Sequence, residues 1–242
     1  MNRLEVVRRY FILLLGIFFI ALGVSMFTKS GLGTSAISVI PLTLSLQFPQ
    51  LSYGTWVALF NIFLIGLEWA MLRADMPRRE IVQQFVFALI FGSVVDLTML
   101  LLWWLEPDAY WQRLAVVGAS CFVMAFGVYL TLICRVGLMA GDGFARALSG
   151  KIGKSFAVTR VISDTTMLLI AVGLCLLWFG ELLSVREGTV IVALCCGTIV
   201  GFYTRHLKQL EYLLLPFNVT VDSAQVAGYE VVDEDLETSR IH

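Results

Sequence analysis

Eight apolar stretches separated by short polar breaks limit what this chain can become. Six are long, at about 8–28, 54–72, 81–105, 111–134, 156–179 and 188–204, and two are short, at 34–48 and 138–150. A helix rising 1.5 Å per residue needs about 20 residues to cross a ~30 Å hydrocarbon core, and the long stretches are of that order. They are continuous rather than alternating, so helices, not a closed β-barrel, are the expected spanning form. The chain is 59% hydrophobic and 14% charged, with a mean hydropathy of +0.86, far above an ordinary soluble domain. The expected fold class is therefore all-α, a polytopic helical membrane protein.

Basic residues select the topology. Arg3, Arg8 and Arg9 place the N-terminus in the cytoplasm by the positive-inside rule. The run from Tyr10 to Thr28 is longer than the apolar region of a secretory leader, so it reads as a retained first span. If the two short stretches do not cross, Arg73, Arg78, Arg79, Arg135, Arg146, Lys151, Lys154, Arg160, Arg205 and Lys208 also fall inside, leaving Lys29, Arg113 and Arg186 outside. Letting both cross would export Arg73, Arg78, Arg79 and Arg135, which the charge bias opposes. Six transmembrane helices with both termini cytoplasmic is the better fit. Residues 1–208 form the membrane domain, with halves at about 8–105 and 111–205. Residues 209–242 are expected to be an acidic, disordered cytoplasmic tail, carrying Asp222, Glu230, Asp233, Glu234, Asp235 and Glu237. Asn218-Val219-Thr220 matches a glycosylation pattern that a cytoplasmic tail would not use.

The second half echoes the first. Ala21-Leu22-Gly23-Val24 returns as Ala125-Phe126-Gly127-Val128, Gly31-Leu32 as Gly137-Leu138, and Leu44-Ser45 as Leu148-Ser149. Asn61 falls opposite Asp164. Three spans per half is an odd number, so the halves would be inverted in the membrane, a 3+3 inverted repeat. The short stretches, broken or re-entrant, would then dip in from opposite faces, as in many secondary transporters. Irregular backbone at that depth is tolerated where protein or a water-filled cavity surrounds it.

Ionisable groups inside the bilayer are functional candidates. Asp164 lies about eight residues, roughly 12 Å, into its span, with Asn61 at the related place in the first half. Arg160, one turn earlier, is the alternative ion-pair partner for Asp164. Asp96 is also deep enough to need a partner. Glu68, near the inner end of its helix beside Arg73, reads as a carboxylate that snorkels to the interface. In Lys29-Ser30-Gly31-Leu32-Gly33-Thr34-Ser35, Thr34 or Ser35 is placed to cap the next helix, and Asp142 in Gly141-Asp142-Gly143 to do the same. Free N–H groups at such helix starts suit an anionic group, which makes Lys29, Thr34 and Asp142 candidate ligand contacts. Pro41 and Pro49 make 34–48 at best a broken helix.

Catalytic readings find little. Both histidines follow the last span, the five cysteines form no CxxC, and no HExxH or P-loop is present. No enzyme activity, metal or cofactor is expected. Expected partners are the lipid bilayer and a small-molecule substrate, with a homodimer compatible and no nucleic acid.

Arg9-Tyr10-Phe11, Leu22-Gly23-Val24, Gly31-Leu32-Gly33-Thr34-Ser35, Leu51-Ser52-Tyr53-Gly54-Thr55 with Asn61, Phe91-Gly92 with Asp96, Gly141-Asp142-Gly143, Asp164 and Arg186-Glu187-Gly188-Thr189 together carry a resemblance. Over roughly 8–205 the chain resembles the YczE/YitT-like bacterial integral membrane proteins, chiefly the YczE branch. That resemblance implies a bacterial cytoplasmic-membrane protein and no assigned substrate. The leading functional expectation is a small secondary transporter or permease-like protein of the inner membrane. The alternatives are a substrate-capture subunit served by a separate energising complex, and a non-transporting assembly or regulatory protein.

Overall fold

The computed structural model describes residues 3–73, 77–134, 136–207 and 214. Apart from Leu214, the expected tail at 209–242 lies outside the described residues. Among the described residues, the eight apolar stretches are eight helices: α1 (Arg3–Lys29), α2 (Ala36–Gln47), α3 (Tyr53–Leu72), α4 (Arg78–Leu101), α5 (Tyr110–Cys134), α6 (Ala140–Ile152), α7 (Phe156–Phe179) and α8 (Glu187–His206). Five of them contain stretches long and apolar enough to cross a bilayer: Val6–Lys29, Tyr53–Leu72, Arg78–Leu101, Tyr110–Cys134 and Val158–Phe179. The chain is a multi-pass membrane protein by that measure. At 12 and 13 residues, α2 and α6 span about 18 and 20 Å, too short to cross.

Two local expectations are corrected. First, α4 ends at Leu101 rather than 105, because the chain passes into turns, with the Leu102 and Trp103 N–H groups donating to Thr98 and Leu100 carbonyls. Trp103, Trp104 and Trp111 lie exposed at this end, where amphipathic rings favour the headgroup region. Second, α2 is one continuous helix with Pro41 inside it. A proline removes a single N–H, here the one that would serve the carbonyl of Ile37 four residues back, and the turns on either side persist.

The centre of the bundle is α1 against α5. A Cβ on Gly23 would lie 2.8 Å from the Met124 nitrogen, and one on Gly127 would lie 2.6 Å from the Ile20 nitrogen. Only glycine permits backbones to come that close. Flanking this pair, α4 packs on α1 and α8 on α5. Ser25 and Thr98 hydroxyls share a hydrogen bond of 2.8 Å between α1 and α4, and Tyr129 of α5 donates to the Leu207 carbonyl just past α8. Another glycine contact joins α3 to α4, since a Cβ on Gly54 or Gly92 would run into the other's carbonyl oxygen.

The short helices bridge the halves: α2 packs on α7 and α3, and α6 on α3 and α7. They occupy opposite ends of α3. The ring of Phe48, just past α2, lies 6.1 Å from Trp56 near the start of α3 and 5.7 Å from Trp178 near the end of α7. Gly143 and Arg146 of α6 instead meet Glu68 near the end of α3, and Arg146 pairs with Glu80 in the first turn of α4. Between the two, α2 and α6 approach start to start, because a Cβ on Gly141 would strike the Ile37 side chain.

Candidate functional site

Polar groups gather around the first turns of these two short helices. The chain enters α2 through Gly31 and Gly33, whose φ angles of 68° and 114° lie in the region where a side chain is strained. A Cβ on Gly33 would also collide with the Thr189 hydroxyl. Thr34 is fully buried, 3.1 Å from the Thr28 hydroxyl and 3.4 Å from that of Tyr53. Ser35 takes the N-cap position, although its side chain makes no capping bond. Ser38 and Thr189 are buried, and their hydroxyl oxygens have no hydrogen-bond partner among the described residues. Lys29 closes the last turn of α1, where a cation faces the negative end of the helix.

Around α6 the groups are charged. Arg160 of α7 bonds Asp142 of α6 and lies 3.3 Å from Asp164, one turn along its own helix. All three side chains are partly exposed. The expectation that Asp142 caps α6 is corrected: the helix starts earlier, Met139 is its N-cap, and Asp142 lies within the first turn. Its carboxylate still faces a favourable helix end, while its own partner is Arg160.

Glu68 is also corrected. It does not snorkel: its side chain is 0% exposed, and Arg146, not Arg73, is the cation facing it at 3.5 Å. Bare Cα of Gly143 gives it room, since a Cβ there would lie 2.8 Å from Glu68 Oε1 and 2.6 Å from Gln84 Nε2. Gln84 is 1% exposed, and among the described residues neither its amide nor the Glu68 carboxyl has a hydrogen-bond partner. Helical register could have found both. Glu68 follows Val57, Asn61, Leu64 and Ile65 on one buried face of α3, and Gln84 shares a face with Phe87, Ala88 and Phe91 on α4.

The remaining candidates have local partners. Asn61 is buried and donates to the Val57 carbonyl at 2.8 Å. Asp96 accepts from the Ser52 hydroxyl and, at 2.7 Å, from the Gly54 N–H, so it closes the start of α3 from the neighbouring helix. Asp96→Ala is expected to lower stability by about 0.5–2 kcal/mol, the range for losing a helix cap. Thermal unfolding in detergent measures it, and an unchanged midpoint would count against the capping role. Among the described residues, no group of three His, Cys, Asp or Glu side chains is arranged to hold a metal.

Comparison with known proteins places residues 7–205 within a family described as "Family of unknown function (DUF6198)". An uncharacterised protein of Haemophilus influenzae (strain ATCC 51907 / DSM 11121 / KW20 / Rd) is 24% identical over 202 residues, 84% of this chain and 86% of that protein. No solved structure matches.

Proposed function

We propose that this chain, which belongs to the DUF6198 family, is a small-molecule secondary transporter of the bacterial inner membrane. The observation that carries the reading is the meeting of α2 and α6, start to start, amid buried polar groups without partners among the described residues. Half-helices with this arrangement present free N–H groups and positive dipole ends to one interior region.

A 3+3 inverted repeat belongs to the same proposal. An offset of 104 residues turns Gly23 and Ile20 into Gly127 and Met124. The contact of Gly23 with Met124 thus becomes that of Gly127 with Ile20. Likewise α1 on α4 becomes α5 on α8, and α2 on α7 becomes α6 on α3. The glycine contact between α3 and α4 has no such counterpart, because Ala157-Val158 and Cys195-Cys196 stand at the related places. In this reading α8, 20 residues long and so about 30 Å, is the sixth span. The basic residues put both termini in the cytoplasm. The resemblance to YczE/YitT-like proteins fits this setting and supplies no substrate.

The test is a thermal-unfolding screen of the purified protein against a broad metabolite set, run beside Asp164→Asn. A true ligand at 100 times its Kd should stabilise the native state by about 2.7 kcal/mol, and Asp164→Asn should abolish the shift. If no metabolite stabilises the protein, the reading fails. Stabilisation without uptake into liposomes would point to a capture subunit instead.

A further inference from the structure

The feature least explained by packing is the pair Glu68 and Gln84, both buried, both without a hydrogen bond among the described residues, and converging on Gly143. A carboxyl group inside a span is costly to maintain unless it does something or is fully paired. Here the surroundings suit both of its protonation states. As a neutral acid, its O–H can donate to the Gln84 carbonyl while the Gln84 amide donates back, which satisfies both groups without any charge. As a carboxylate, it can accept from the Gln84 amide and needs a cation, and Arg146 stands 3.5 Å away.

Arg146 is shared. It is ion-paired with Glu80 as well as with Glu68, and it is the more exposed partner in both pairs. Uptake of a proton by Glu68 would leave Arg146 to Glu80, releasing the charged link between α6 and α3 while the one between α6 and α4 stays. Among the described residues, the charged and titratable groups facing Glu68 are thus Arg146 from α6 and Glu80 from α4, with Gln84 as the neutral partner. On the far side of α6, Arg160 of α7 is engaged with Asp142 and Asp164. The helix α2 contains no ionisable residue.

We propose that Glu68 is a proton-binding site that couples protonation to the position of α6, its charged form held by Arg146 and its neutral form by Gln84. This rests on the transporter reading for its purpose, since α6 is one of the two half-helices lining the interior region. It makes the driving ion a proton. The step is a simple protonation, with the proton arriving from and returning to water on either face.

Infrared difference spectroscopy on the protein in liposomes, between ~pH 5 and ~pH 9, tests it without a known substrate, over the range in which perturbed carboxyl groups titrate. A protonated-carboxyl band should appear on acidification, vanish in Glu68→Gln, and persist in Asp164→Asn. Glu68→Asp, which retains the carboxyl, should shift the band rather than remove it, and it serves if Glu68→Gln does not fold. A band unaffected by either Glu68 variant, or one that responds to sodium at constant pH, would overturn the proposal. A titrating Glu68 alongside a failed metabolite screen would keep the proton site and remove transport; the converse would keep transport and remove Glu68 as its coupling group.

Discussion

Gly23→Leu and Gly127→Leu are expected to abolish the monodisperse folded protein, whereas Gly66→Leu and Gly118→Leu should leave it intact. A Cβ on Gly23 would lie 2.8 Å and 2.9 Å from the Met124 nitrogen and Cα, and one on Gly127 2.8 Å from the Gly16 carbonyl oxygen. These are backbone atoms, which cannot rotate away as a side-chain tip can. Inserting bulk into a well-packed interior costs about 1–3 kcal/mol when neighbours can adjust. Here they cannot without separating α1 from α5, so a loss above that range is expected, a large share of the ~5–15 kcal/mol that holds a domain folded. A Cβ on Gly66 or Gly118 would meet nothing within 4 Å. Size-exclusion profile and unfolding midpoint of the four variants decide the matter, and equal behaviour of all four would refute the close crossing.

Arg160→Met should carry the second-largest penalty. It removes the cation between Asp142 and Asp164 and leaves two carboxylates together. Breaking a fully buried ion network costs about 3–5 kcal/mol. The three side chains are between 30% and 39% exposed, and water screening reduces the expectation to about 1–2 kcal/mol. Adding Asp142→Asn and Asp164→Asn to Arg160→Met should recover most of the loss, because the stranded charges are then gone. Arg160→Lys should recover only part, since an ammonium cannot reach two carboxylates with a planar fork. Unfolding midpoints of the series provide the check. A triple variant no more stable than Arg160→Met would mean that the arginine matters for packing and not for charge.

Much of the site was within reach of a sequence reading, and the limits are physical. The pairing of Asp164 with Arg160 follows from a separation of four residues on one helix. Asp142 joins them from 18 residues before Arg160, across a turn whose geometry local propensity does not specify. Asp96 reaches the start of α3 from 42 residues beyond Gly54, so its capping role appears only once α3 and α4 are side by side. Glu68 is the sharpest case. A glutamate one turn from a helix end can bend toward water or turn inward, and both options suit its own helix. The choice is made by α6, where Gly143 leaves the space into which the carboxyl turns.

The order of long and short helices was determined by the sequence alone, because the length of an apolar run and the glycine and proline breaks at its ends are local quantities. So was the presence of carboxylates at depths where they need partners. Which helices touch, and therefore which carboxylate is capped, ion-paired or buried without a hydrogen bond, was decided only in the tertiary structure. Those outcomes depend on distances between residues far apart in the chain, set by whether a neighbouring backbone presents a glycine or a side chain at the crossing.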